Sequence, residues 1–443
     1  MRRALILILL LFGMQLILPL GRDVPGSGAL LTLGFLILAA YTVGEIVATW
    51  GFPKLLGYLV AGIIFGPSML GTVTPGSVVK LQPINQLAVA LIAFVAGAEL
   101  KWSDLKRDGT TYARILGVEM PLTFVMLVGA IFLLRPLIPV LSTAGVTETI
   151  VFGMLLAAIG IAHSPAATLG LVKETGARGP VAHHTLGVVL LSDLFLIVFF
   201  SVVVSAARLI LPPTGAEEPP SLALAVWEIS GALVVGSALG GVVALYMRFI
   251  QRELLLFSVI IALLGVELAR VAHVELLLTL LTAGFITENI AKTSGDALVH
   301  AVERAAAPIF VVFFALSGAS INIAELRSLY AVVIPLVIVR ILAIWLGTMV
   351  AARRSKFARP VADRIWLGLV AQMGVAIGLA TVIAGVYPRL GPAVQTLAMA
   401  LIAINQLIGP VFFKRALSLS GELPRPSLDE RVTPRDLPET ASR

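Results

Sequence analysis

Cysteine is absent, histidine occurs five times in 443 residues, and charged residues make up 13% of the chain. Without cysteine there is no disulfide framework, no thiolate metal site and no thiol nucleophile. Five scattered histidines are poor material for a metalloenzyme. An ordinary soluble domain carries about a quarter charged residues. Half that charge cannot cover the surface of a water-soluble protein of this size. Disordered chains are polar, whereas this one is 58% hydrophobic with a mean hydropathy of +1.01. Porin-type strands alternate polar and apolar residues, but the apolar runs here are continuous. A polytopic helical membrane protein remains. Its net charge of +7 then reflects Lys and Arg on the loops of one side, not nucleic-acid binding.

Runs of about 20 apolar residues predict helices near 4–20, 28–50, 54–71, 84–100, 112–134, 149–172, 181–209, 222–248, 254–270, 272–290, 302–321, 329–352, 363–386 and 391–413. The first is ambiguous. Met1-Arg2-Arg3 before a Leu/Ile run also fits a signal peptide. No convincing small-x-small cleavage site precedes Gly26, so residues 1–27 are expected to be an extra retained helix or signal-like segment. Basic residues set the orientation. With the N-terminus inside, the cytoplasmic loops carry Lys101, Lys106, Arg107, Lys173, Arg178, Arg353, Arg354, Lys356 and Lys414. The opposite loops carry mostly single charges such as Lys80, Arg135 and Arg389. Residues 414–443, polar and holding Pro424, Pro426, Pro434 and Pro438, are expected to be a disordered cytoplasmic tail.

Transporters often contain two halves of inverted topology. Gly97 pairs with Gly318 and Leu105 with Leu326 at the same offset, 221 (318 − 97 and 326 − 105). Upstream, Val60-Ala61-Gly62-Ile63-Ile64 resembles Thr282-Ala283-Gly284-Phe285-Ile286 at an offset of 222 (284 − 62). Small-residue motifs also recur simply because tight helix packing needs Gly and Ala. Taken in order, the matches predict halves at 28–209 and 254–413, joined by a connector helix at 222–248. An odd number of spans separates equivalent helices, so the halves are oppositely oriented.

Inverted-repeat transporters place their sites where helices are interrupted near the midplane. The fifth helix of each half shows such an interruption. In the first it is Gly160-Ile161-Ala162-His163-Ser164-Pro165-Ala166-Ala167-Thr168, where Pro165 frees a carbonyl. In the second it is Ala371-Gln372-Met373-Gly374-Val375-Ala376-Ile377-Gly378, loosened by glycine. Each alone reads as a simple kink, but the coincidence of position raises the functional alternative. Opposed half-helix ends would offer carbonyl oxygens to a cation.

Asp193, preceded by Ser192, interrupts the apolar run LGVVLLSDLFLIVFF. It lies twelve residues after Val181, or about 18 Å along the axis, near the middle of a ~30 Å hydrocarbon core. An isolated carboxylate there costs several kcal/mol unless protonated, solvated or paired. One such group can hold either a proton or a cation, which is the minimal chemistry of an exchanger. The structural alternative is an aspartate bonded to a neighbouring helix. Arg340, in LVIVRILAIW, is the midplane base. It stays protonated and needs an anion or several carbonyls, so it reads as a structural counter-charge. Glu45, Glu99 and Glu119 lie nearer helix ends, where interfacial solvation explains them. His183 and His184 open the Asp193 helix and read as interfacial, with pH sensing as the alternative. Asn405 and Gln406 sit near the place symmetric to Asp193.

Over residues from about 30 to 413 the chain resembles the monovalent cation:proton antiporter-2 family of the sodium/proton exchanger superfamily. The likeness rests on Gly57-Tyr58-Leu59-Val60-Ala61-Gly62-Ile63-Ile64-Phe65-Gly66-Pro67, on Phe94-Val95-Ala96-Gly97-Ala98-Glu99-Leu100, on the stretch from His163 through Asp193, and on Pro308-Ile309-Phe310-Val311-Val312-Phe313-Phe314. It implies an all-α fold of 13–14 spans, two inverted repeats with crossed broken helices, and a core domain that moves elevator-fashion against a dimerisation domain. It implies that Asp193 binds cation and proton in turn, with Ser164, Thr168 and His163 alongside and Arg340 as the basic residue of a later core helix. Ser192 and the second broken helix, with Gln372 and Gly374, complete the expected site. The chain departs from the family at Ser192, where many relatives have Asp or Asn, and at Val188, where some exchangers have the Glu that pairs with Arg. The family's double-aspartate site is associated with electrogenic exchange, so a single carboxylate predicts electroneutral exchange of one Na⁺ or K⁺ for one H⁺.

No nucleotide-binding motif or catalytic constellation is visible. The expectation is therefore a transporter in a bacterial-type inner membrane, a homodimer by resemblance, with no cofactor, no nucleotide and no nucleic-acid partner. A sodium-coupled organic-solute symporter of similar fold is one alternative, and a non-transporting sensor or regulatory subunit is the other.

Overall fold

A computed structural model describes residues 27–98, 102–212, 222–249, 254–291, 308–372 and 375–424, and within these the chain is helical, with no strand. The first expected span, Glu99, Gly374 and the tail beyond 424 lie outside the described residues. The other thirteen spans each have a helical counterpart. The first half comprises Ser27–Thr49, Lys54–Phe65, Gln82–Ala98, Trp102–Leu134, a span in two pieces (Val146–Gly160 and Pro165–Thr175), and Pro180–Ile210. Leu222–Phe249 follows. The second half comprises Leu254–Ala272, Leu276–Ala291, Pro308–Ala319, Tyr330–Arg353, the helix Val375–Val386 with a short turn Ile365–Gly368 before it, and Gly391–Leu419. Among the described residues, seven helices are long and apolar enough to cross a membrane, and five shorter apolar helices accompany them.

Local chemistry explains the breaks. The expected 54–71 span stops at Phe65, because Gly66-Pro67 turns the chain. The first broken span restarts where Ser164 caps the new helix, its Oγ accepting from the Ala167 amide at 3.2 Å, with Pro165 at the first helical position. It ends at Gly176, whose φ of 62° is the left-handed C-cap that glycine adopts most readily. The second break falls earlier than the glycines suggest. Leu369–Gln372 is already non-helical, and Gly378 sits inside the resumed helix.

The glycines that carried the internal repeat pack crosswise. A side chain at Gly62 would run into Ala315 and Ala319, and one at Gly318 into Leu59. A side chain at Gly97 would run into Leu281, and one at Gly284 into Phe94 and Ala98. So the second helix of each half lies backbone to backbone against the third helix of the other half. Only glycine permits that approach, and an inverted pair of repeats generates it twice.

Among the described residues, apolar packing forms two large cores and a small satellite of Ala232, Ala269, Val274 and Leu278. One large core collects Ile115, Phe152, Ile159, Val188, Leu336 and Leu401 from the fourth, fifth and sixth helices of both halves. The other collects Leu36, Leu59, Leu91, Leu280 and Phe314 from the first three helices of both halves, with the connector helix. The broken spans contribute to both bodies: Phe152, Ile159, Ala376 and Ile383 lie in the first core, while Ala167, Leu169 and Leu171 pack in the second.

Candidate functional site

Where the two broken spans cross, both leave backbone carbonyls unclaimed by a helix. Arg340 collects them. Its Nε donates to Gly160 O at 2.6 Å and its Nη2 to Ala162 O at 2.6 Å, both on the first span. Its Nη1 donates to Val370 O on the second span at 2.7 Å. The residue is fully buried. The absence of a glutamate at Val188 therefore leaves it solvated by peptide dipoles from both halves, with the fork geometry of guanidinium linking three separate carbonyls. Gln372 adds a fourth tie. Its Nε2 donates to Ile159 O at 2.8 Å, and its Oε1 accepts from Asn405 Nδ2 at 3.1 Å.

Glu119 corrects the sequence reasoning. It does not lie in an interfacial, solvated position but is fully buried, as is His163. His163 Nδ1 donates to Leu369 O at 2.7 Å, and its Nε2 lies 3.1 Å from Glu119 Oε2. Thr123 Oγ1 donates to the other Glu119 oxygen at 2.8 Å. Because Nδ1 already carries a proton to Leu369, a hydrogen bond at Nε2 needs one more proton between imidazole and carboxyl. His163 thus connects the fourth helix to the second break.

Asp193 stands apart from this network. It is 5% exposed, and its Oδ1 is buried with no hydrogen-bond partner among the described residues. It lines a cavity of about 20 Å³ with Ser164, Pro165 and Ala166, room for one water or one small ion. Val89, Leu277, Phe313 and Val375 wall both this cavity and a larger one of about 650 Å³. The larger cavity lies between the two bodies and is lined by Gln82, Asn85, Glu275, Ser317, Gln395 and Gln406, among others. Glu275 is the one charged residue of its lining among the described residues. It caps the 276–291 helix by accepting from the Leu278 amide. Gly378 lines the large cavity, while Gln372 does not.

The remaining expected residues flank the carboxylate without lining the small cavity. Ser192 is buried, its hydroxyl donating to Val189 O at 2.6 Å within its own helix. Thr168 Oγ1 donates to Ser164 O at 3.1 Å, which leaves Ser164 Oγ as the hydroxyl beside Asp193.

The end that carries the excess of basic residues is closed by three contacts between residues far apart in the chain. Glu174, on the first broken span, accepts from the backbone amides of Lys54 at 2.5 Å and Leu55 at 3.0 Å. Lys414, on the last helix, donates to Gly51 O at 2.9 Å. Glu422 accepts from the Val181 and Ala182 amides at 2.7 and 2.8 Å, capping the Asp193 helix. Sequence reasoning found none of these three, because each joins residues far apart in the chain through backbone groups.

Comparison with known proteins follows the same lines. The family model described as "Sodium/hydrogen exchanger, transmembrane" matches residues 6–417. A Na(+)/H(+) antiporter of Enterococcus hirae is 23% identical over 352 residues, covering 77% of this chain and 86% of that protein. A probable Na(+)/H(+) antiporter of Bacillus cereus, GerT, is 32% identical over 73 residues, 16% of this chain and 19% of that one. Two structures of the sodium proton antiporter MjNhaP1 from Methanocaldococcus jannaschii share the fold at 18% identity. Their TM-scores are 0.65 and 0.67, each covers 89% of this chain, and the chain covers 99% and 98% of theirs.

Proposed function

The chain belongs to the sodium/hydrogen exchanger family, and from that membership we infer that it is a secondary antiporter in which Asp193 holds a monovalent cation and a proton in turn. One observation carries the assignment of Asp193. A carboxyl group deep in an apolar helix has an oxygen without a partner, and that group opens on an ion-sized cavity that shares four wall residues with a wider one. A buried carboxylate is costly, so it is occupied either by a proton or by a cation, and the two exclude each other. Ser164 Oγ stands beside it for the cation.

The exchange is one Na⁺ or K⁺ for one H⁺. Arg340 stays charged throughout, pinned to three carbonyls, so only Asp193 changes its load. The closed basic end is cytoplasmic, the multi-pass chain sits in a bacterial inner membrane with its C-terminus inside, and the open cavity faces outward. The halves run 28–209 and 254–413 about the connector 222–248. The body that holds the crossing of the broken spans slides against the other, which forms a homodimer. The ~20 Å³ cavity that Asp193 lines has room for a bare ion at the carboxylate.

Proteoliposomes containing a pH-sensitive dye test this. Addition of Na⁺ or K⁺ should release protons from the wild type and none from Asp193→Asn, while exchange retained in that variant removes the assignment. A membrane potential should leave the wild-type rate unchanged, and Ser192→Asp should make it voltage-dependent.

A further inference from the structure

The Asp193 helix begins with a pair of histidines that the exchange reaction does not use. His183 and His184 meet Asp108, from the fourth helix, at the basic end of the molecule. One ligand atom from each lies within 4.8 Å of the other two. His184 Nδ1 is 3.9 Å from Asp108 Oδ2. His184 is held in place, its ring stacked on Phe357 at 4.2 Å and its Nδ1 bonded to the Tyr112 hydroxyl at 3.0 Å. All three ligand residues are partly exposed, so an ion can reach them.

We propose that Asp108, His183 and His184 form a binding site for a divalent first-row transition cation of the Zn²⁺ or Ni²⁺ type. Two imidazoles and one carboxylate are the donor set such ions take, with bonds of about 2.0–2.2 Å and open positions left for water. Ligand atoms on one tetrahedral ion stand roughly 3.4 Å apart at those bond lengths. The present spread of up to 4.8 Å exceeds that by about 1.4 Å, so binding requires the side chains to close on the ion. A cation already occupies part of the site. Arg107 donates to Asp108 Oδ2 at 3.0 Å, and its side chain is 64% exposed, so it can swing away when a metal arrives. Alkali cations bind poorly to imidazole, so this site does not compete for the transported ion. It bridges the fourth helix and the Asp193 helix nine residues before the carboxylate (193 − 184), and metal bound there would hold those two helices together at the cytoplasmic face.

The test is a zinc titration of the metal-stripped, detergent-purified full chain against a chromophoric chelator. The absence of cysteine removes thiolates as competitors. One Zn²⁺ per chain is expected. Affinity should fall at least tenfold in His183→Ala and in His184→Ala, fall severalfold in Asp108→Asn, and stay unchanged in His273→Ala. Cation-driven proton release by the same variants without zinc checks that they are folded, since none of these residues touches the transport site. Absence of saturable binding at one per chain overturns the proposal, and so does undiminished affinity in the two histidine variants.

Discussion

The two broken spans occupy equivalent places in oppositely oriented halves, yet their chemistry differs. The first is cut by Pro165, carries the Ser164 hydroxyl that caps the restarted helix, and faces a carboxyl group. The second is held by neutral amides: Gln372 spends both ends of its side chain on Ile159 O and Asn405. Both present carbonyls to Arg340. The symmetric framework therefore supplies a shared scaffold, and the proposed function rests on the half that holds the buried carboxyl group. A carboxylate oxygen without a partner costs far more than an amide oxygen, which is why Asp193 and not Asn405 is the proposed transport site, even though each keeps one orphaned oxygen.

The strongest way to break the comparison is to remove what the halves share. Arg340→Met abandons three buried carbonyls at once. Each orphan costs about 1–3 kcal/mol, so this variant should suffer the largest loss of thermal stability, read as a fall in the melting midpoint of detergent-solubilised protein. Arg340→Lys keeps the charge but lacks the fork, and should fall between. A midpoint of Arg340→Met equal to wild type would mean that the crossing is held by packing alone.

The next test acts on the second half only. Gln372→Leu leaves the Asn405 amide without its Gln372 partner, while the Ile159 carbonyl keeps the Ala162 amide at 3.2 Å, so the change should cost about 1–3 kcal/mol. Asp193→Asn, by contrast, removes a costly charge from the first half, and should raise stability slightly while abolishing exchange. Opposite signs of the two stability changes would sharpen the distinction between a structural half-site and a functional one. Equal signs would erase it.

The fold was legible because apolar runs and loop cations obey simple rules, and because the four packing glycines stand in matched order in the two halves. Asp193 was legible for the same reason, as an acid isolated in an apolar run. Arg340's partners were not, since backbone carbonyls have no signature in side-chain identity. Glu119 was misjudged because depth was measured along one helix. Its burial comes from His163, 44 residues away, and from close approach of the 330–353 helix at Gly347. Asp108 and the histidine pair likewise meet only in three dimensions.

Glu119 gives a smaller effect that separates a hydrogen-bonding role from a purely steric one. Glu119→Gln can still donate to His163 Nε2 and should lose less than about 1 kcal/mol, whereas Glu119→Ala strips the imidazole of its partner and should lose about 1–3 kcal/mol. Equal losses in chemical-denaturant or thermal melts would show that the side chain's volume, not its bond, is what the crossing uses.

The smallest expected effect concerns which face is open. Glu174 belongs to the first broken span, and its counterpart in the second half offers no such acid to the other body at the outer end. Its two bonds to the first turn of the 54–65 helix combine amide capping with the helix dipole, worth about 1 kcal/mol. Glu174→Gln retains one acceptor and loses the charge, so the closed basic end should loosen by that order, an equilibrium shift of about fivefold. The chain lacks cysteine, so a single Ser317→Cys in the large cavity reports that shift directly. An impermeant thiol reagent added from the outer face should label it more slowly when Glu174→Gln is also present, because the molecule spends less time open to that side. An unchanged labelling rate would mean that Glu174 caps a helix and nothing more, and that Lys414 and the packing beneath it keep the basic end shut.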